Sequence, residues 1–142
     1  DMLGVFEGWG AFRDSQPPRC FAIAEPDRHR VKPAWRPFAS VATWPGQTVR
    51  NQVHIRLSRI GIVGMPILLT IGDRRFVLIG GGGADAWAPD ARIDAAIVAA
   101  MRSTPGMSVS ALSPAGGFTD TYRLSGAATA IDAATLGCAR RR

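Results

Sequence analysis

Cys20 and Cys138 are the only cysteines in this chain of 142 residues, and one disulfide is the covalent chemistry they can do. Such a bond needs Cα atoms roughly 4.4–6.8 Å apart. Cys20 opens the run Cys20-Phe21-Ala22-Ile23-Ala24, which reads as a buried strand. Cys138 ends a helical pattern and shares a face with Ile131 and Ala134. Both thiols are expected to face inward, so that the terminal helix docks over the Cys20 strand. The alternative is two buried free thiols. No CxxC is present, which leaves thioredoxin-type and zinc-ribbon chemistry without support. Cys20 as a nucleophile would need a base beside it, and Arg19 and Phe21 supply none.

The other reactive residue types are sparse. His29 and His54 are the only histidines, and both are expected to be solvent-exposed: His54 on the polar face of a strand, His29 in a basic loop. A metal site needs several converging ligands, and Asp27 with His29 does not reach that number. Gly81, Gly83 and Ala86 satisfy GxGxxA. A phosphate loop, however, must open directly into a helix, and Trp87-Ala88-Pro89 intervenes. No GxSxG elbow occurs, and Glu7 and Glu25 are the only glutamates. No catalytic, cofactor-binding or metal-ligating residue is assigned, and no cofactor is expected. Trp44 and Trp87 lie beside turns, and Arg28 and Arg30 lie in a basic loop. These four are the candidate surface-binding residues. Trp9 is expected in the core.

These residues need elements to position them. Val49 to Ser58 alternates apolar and polar residues, the clearest strand in the chain. Val5–Glu7, Ala11–Arg13 and Phe38–Thr43 also read as strands. Residues 25–38, with Pro26, Pro33 and Pro37, read as a loop. Ile67–Ile71 and Arg75–Ile79 form a hairpin around Gly72-Asp73. Gly80–Gly83 reads as a loop after that hairpin. Asp90 caps a helix over Ala91–Ser103, with Ile93, Ile97 and Met101 on one face. Met107–Leu112 is a strand, Gly116-Gly117 a turn, and Thr121–Leu124 a short extended piece. Ser125 precedes a second Ala-rich helix, Ala127–Leu136, stopped near Gly137. The order predicts a mainly β domain bordering on α+β. It is an antiparallel, sandwich-like sheet with two short helices in its C-terminal half. No linker divides residues 1–142, and the length suits one domain.

Composition agrees. The chain is 46% apolar and 20% charged, which describes a globular protein. The formal charge is +6, and Lys32 is the only lysine among 17 basic residues. No run approaches the roughly 20 apolar residues of a membrane-spanning helix. The start Asp1-Met2-Leu3-Gly4 carries no targeting segment, and removal of a signal peptide is the expectation.

Three stretches carry a resemblance: Gly8-Trp9-Gly10-Ala11-Phe12, Arg19 through Pro26, and Tyr122-Arg123-Leu124-Ser125-Gly126-Ala127 through Cys138. In these the chain resembles the invasion-associated locus B family, exported proteins of alphaproteobacteria. Many members have a further cysteine soon after the first tryptophan, where this chain reads Ala11-Phe12-Arg13-Asp14. The resemblance implies a periplasmic or secreted protein in a compartment that permits disulfides. It also implies a link to host-cell invasion, but offers no catalytic residues. The leading expectation is a non-enzymatic periplasmic or surface-associated protein acting by binding or envelope support. Its partner would be an unidentified protein or envelope component. The alternative is a small periplasmic enzyme or enzyme inhibitor. A third reading is Arg-mediated binding of nucleic acid or another polyanion. It requires Arg28, Arg30, Arg50, Arg56 and Arg59 on one face, and nucleic acid is the less favoured ligand.

Overall fold

The computed structural model describes residues 1–139. In its N-terminal half run β1 (Met2–Phe6), β2 (Trp9–Ser15), β3 (Pro18–Ala24), β4 (Phe38–Trp44) and β5 (Val49–Arg56). Then come β6 (Ile67–Ile71), β7 (Arg74–Gly80), β8 (Asp85–Trp87), α1 (Ala91–Arg102), β9 (Gly106–Ser113), β10 (Gly116–Arg123) and α2 (Ala127–Ala139). All ten strands join one antiparallel sheet in the order β1-β2-β3-β4-β5-β8-β7-β6-β9-β10. The protein is therefore mainly β, with two helices, as the residue pattern predicts.

Alternation sets the two faces. Along β3, Cys20, Ala22 and Ala24 are buried, while Phe21 and Ile23 are only half-buried on the other face. In β5 the buried positions are Val53 and Ile55, and the pattern carries on to Leu57. Helix α2 packs over β1 to β4, and α1 over β5 to β7. Where α2 packs on β2 and β3 the buried residues are small: Ala11 and Ala22 in the sheet, and Ala127, Ala130 and Ala134 in the helix. The Asp90 side chain accepts from Ile93 N at 2.9 Å, the cap read from the sequence.

The sheet curls without closing. Trp9 of β2 is fully buried, and its Nε1 donates to Arg123 O of β10 at 2.9 Å. Asp27 N donates to Thr121 O at 2.7 Å. These contacts occupy part of the β10 edge, which would otherwise offer free backbone groups. Strands β1 and β10 do not pair, so no barrel forms.

Four sequence expectations are corrected. Strand β10 spans Gly116–Arg123, longer than the short piece expected at Thr121–Leu124, and Gly116-Gly117 belongs to the strand. Strand β8 was not anticipated at all; its three residues complete the sheet between β5 and β7. Helix α2 does not stop near Gly137 but continues through Cys138. A Cβ at Gly137 would lie 2.7 Å from the Leu3 side chain and 3.7 Å from Cys20 Sγ. That glycine lets the helix approach the sheet; it does not end it. Gly126 has φ +87, and a Cβ there would collide with the carbonyl of Phe6, so the entry to α2 depends on glycine.

Candidate binding cleft

The loop between β3 and β4 carries most of the basic residues read as candidates. Pro26, Pro33 and Pro37 keep it out of the ladder, since proline donates no backbone hydrogen bond. It is nevertheless fixed along its length. Trp35 Nε1 donates to Leu57 O at 2.7 Å. Arg36 forks onto Glu25 with bonds of 3.0 and 2.9 Å. His29 Nε2 lies 2.7 Å from Asp120 Oδ1.

Asp120 is the anchor beneath the loop. It sits on the inward face of β10 with Tyr122, and its accessibility is 0%. Beyond His29 it accepts from Ser58 N at 2.8 Å and Ser58 Oγ at 2.5 Å. A buried carboxylate needs such donors. Asp120 thereby ties three segments together: the β3–β4 loop, the segment after β5 and β10. Burial and then the charges of Asp120 and Glu25 push the Tyr122 hydroxyl well above its usual range. That hydroxyl is buried and has no hydrogen-bond partner among the described residues.

His29, Ser58 and Asp120 do not form a nucleophile relay. In such a relay the histidine stands between serine and acid. Here the acid stands between the other two, and Ser58 Oγ donates its hydrogen bond to Asp120. The grouping is built to hold the loop in place. Among the described residues, no three His, Cys, Asp or Glu side chains gather as a metal site requires.

Above Asp120 opens a cleft of about 990 Å³ between this loop, the segment after β5 and the β9–β10 turn. Arg30, Lys32 and Arg59 line it, with Trp35 and Phe118 as apolar walls, and no Asp or Glu reaches its lining. Among the described residues, Arg30, Lys32 and Arg59 have no ion-pair partner. An acid-free cleft with three cations and aromatic walls concentrates positive potential, and that favours anions. Arg28 lines the adjoining hollow with Lys32 and Arg36, and Glu25 and Asp27 share that lining.

The remaining candidates lie elsewhere. Trp87 stacks on His54, with centroids 5.0 Å apart, and Phe38 meets that ring edge-on at 5.1 Å. His54 Nε2 is 2.8 Å from Asp85 Oδ1, and Arg56 pairs with the same carboxylate at 2.9 Å. Burial pushes the Asp85 carboxyl up, but the bonds from His54 and Arg56 outweigh it and hold the group low. Neither histidine is therefore exposed as expected; each is half-buried against an acid. Trp44 ends β4 on the outer face, with the Arg19 guanidinium 5.1 Å from its ring. The five arginines required for a polyanion surface do not all line the cleft. Arg30 and Arg59 line the cleft, Arg56 is neutralised by Asp85, and Arg50 sits six residues back along β5, about 20 Å away. Lys32 belongs to the same basic loop as Arg30, and Arg59 is among the arginines of the polyanion reading; the fold brings Arg59 from the segment after β5 to the cleft that Arg30 and Lys32 line.

Cys20 and Cys138 are joined, with Cα atoms 5.8 Å apart across 118 residues of sequence. Among the described residues, no helix is long and apolar enough to cross a membrane.

These features define a class: a disulfide-stapled, open antiparallel β domain with two helices on its inner face and a cationic cleft at one end. No protein-family model matches the sequence, and no curated protein matches it. A solved structure does share the fold: invasion associated protein B from Bartonella henselae. It superposes with a TM-score of 0.63 over 94% of this chain and 95% of that one, at 13% identity. At that identity the likeness is one of fold.

Proposed function

We propose that this protein is a non-enzymatic, exported binding protein, periplasmic or surface-associated, that holds an anionic component of the bacterial envelope in its cleft. One observation carries the reading: Arg30, Lys32 and Arg59 converge on a cleft that no carboxylate lines. The charges there are left for an external partner. The Cys20–Cys138 bond supports a compartment outside the reducing cytosol. The shared fold with an invasion-associated protein supports a role at the cell surface, and binding at that surface is compatible with a part in invasion.

Retention on immobilised heparin tests the reading. The triple variant Arg30→Ala/Lys32→Ala/Arg59→Ala is compared with a control, Arg50→Ala/Arg75→Ala/Arg92→Ala, that removes the same charge elsewhere. The cleft variant is expected to elute at clearly lower salt than the control. Equal elution of the two would mean that only net charge matters and would remove the cleft from the account.

A further inference from the structure

Beside the cleft, the chain from Ile60 to Pro66 contains no charged residue and holds its large apolar side chains out in water. Val63 is 78% exposed, and Ile60, Ile62 and Met65 are each more than two-fifths exposed. Single exposed apolar residues are ordinary. Four within six consecutive positions are not, and Leu112 of β9 and Val31 of the cleft are exposed as well. Backbone hydrogen bonds hold the segment in this arrangement. Ile62 N donates to Leu112 O at 2.8 Å, and Met65 N to Ile62 O at 3.1 Å. Gly61 N reaches Gly83 O at 3.4 Å, so the loop leans on the glycine run, which has no side chains to cover it. Gly64, at φ +84, makes the turn that sets Val63 at the tip.

Cations lie where this segment begins. Arg59 directly precedes Ile60, and Ile60 and Val31 line the same cleft as Arg30, Lys32 and Arg59. Exposed aliphatic side chains continuous with a cleft that carries unpaired cations match the boundary of a lipid bilayer. The tips enter the acyl region while the cations meet anionic headgroups. A protein partner would need a hollow shaped to the tip together with acids placed over the adjoining cleft. An anionic bilayer offers both conditions without a shaped site.

We infer that this end of the sheet docks on an anionic lipid surface, with Ile62, Val63 and Met65 inserted and Arg30, Lys32 and Arg59 over the headgroups. This rests on the anion-binding reading of the cleft and names the partner.

Co-sedimentation of the oxidised protein with vesicles tests it, using phosphatidylcholine alone or mixed with phosphatidylglycerol. The wild type is expected to pellet with the mixed vesicles and to stay in solution with phosphatidylcholine alone. Replacing all three apolar tips in Ile62→Ser/Val63→Ser/Met65→Ser is expected to weaken binding by at least tenfold. Each cleft cation removed is expected to weaken it about fivefold. Both variants alter exposed side chains, and an unchanged thermal transition confirms that they fold. Absence of wild-type binding, or full binding by the serine variant, overturns the inference. Heparin retention that still depends on the cleft would then leave the anion-binding reading standing. Self-association of the wild type, lost in the serine variant and without vesicle binding, would assign the tip to a second copy of the chain and equally overturn it.

Discussion

His29 and Asp120 are 91 positions apart in sequence, yet the imidazole Nε2 lies 2.7 Å from the buried carboxylate. The bond clamps the loop that carries Arg28, Arg30 and Lys32 onto β10. Asp120→Ala is expected to strip the partners from His29, Ser58 Oγ and Ser58 N together, and to cost about 3 kcal/mol. Urea titration measures the loss. Limited digestion with trypsin reads the loop itself, with cleavage after Arg28 or Arg30 faster in the variant than in the wild type. Cleavage there at an unchanged rate would show that the clamp does not hold the loop.

Two buried or half-buried aspartates give opposite pH signatures. Asp94 of α1 is buried and accepts from Val53 N at 2.9 Å. Burial raises its carboxyl, the Val53 bond works against that, and the charge of Asp90 adds to it. A raised group favours the protonated fold. Its contribution is complete below the ordinary carboxyl value near pH 4 and is lost as pH rises through the folded value. Asp85 is held low, so its contribution is complete above that ordinary value and is lost as pH falls through the folded value. Asp94→Asn is therefore expected to raise the melting temperature at pH 7, with the gain vanishing towards pH 3. Asp85→Asn is expected to lower it at pH 7, with the difference shrinking in acid. Melting curves from pH 3 to pH 8 check both signs.

The disulfide closes a loop of 118 residues between a core strand and the terminal helix. Its reduction is expected to lower stability by up to about 4–5 kcal/mol, because the unfolded chain regains its freedom. Urea unfolding with and without reductant measures this. The loss should be recovered when the thiols reoxidise. Identical unfolding curves would show that α2 holds to β3 through packing alone.

Much of the fold can be read from local pattern. The alternation from Val49 to Leu57 places Val53, Ile55 and Leu57 inside, and Asp90 with the apolar spacing of Ile97 and Met101 defines α1. Cys20 and Cys138 were legible because each sits on an inward face of its own element. Local pattern fails where geometry is set from afar. Strand β8 is three residues long behind a glycine run, and only its neighbours β5 and β7 make it a strand. Gly137 carries the signature of a helix end but serves the approach of α2 to Leu3. Both histidines read as exposed because Asp85 and Asp120 lie 31 and 91 positions away. The cleft was legible only as a basic loop. Arg59 and Phe118 join it through curvature of the sheet, which no short stretch of sequence reveals.

The central claim is that Arg30, Lys32 and Arg59 bind anions as a group. The most direct measurement is the salt dependence of affinity for inorganic polyphosphate. For a flexible polyanion, each cation engaged contributes about 0.7 to the slope of log K against log salt concentration. The slope for Arg30→Ala/Lys32→Ala/Arg59→Ala is predicted to fall by about two relative to wild type, whereas Arg50→Ala/Arg75→Ala/Arg92→Ala leaves it nearly unchanged. Equal slopes for the wild type and the cleft variant would contradict the account.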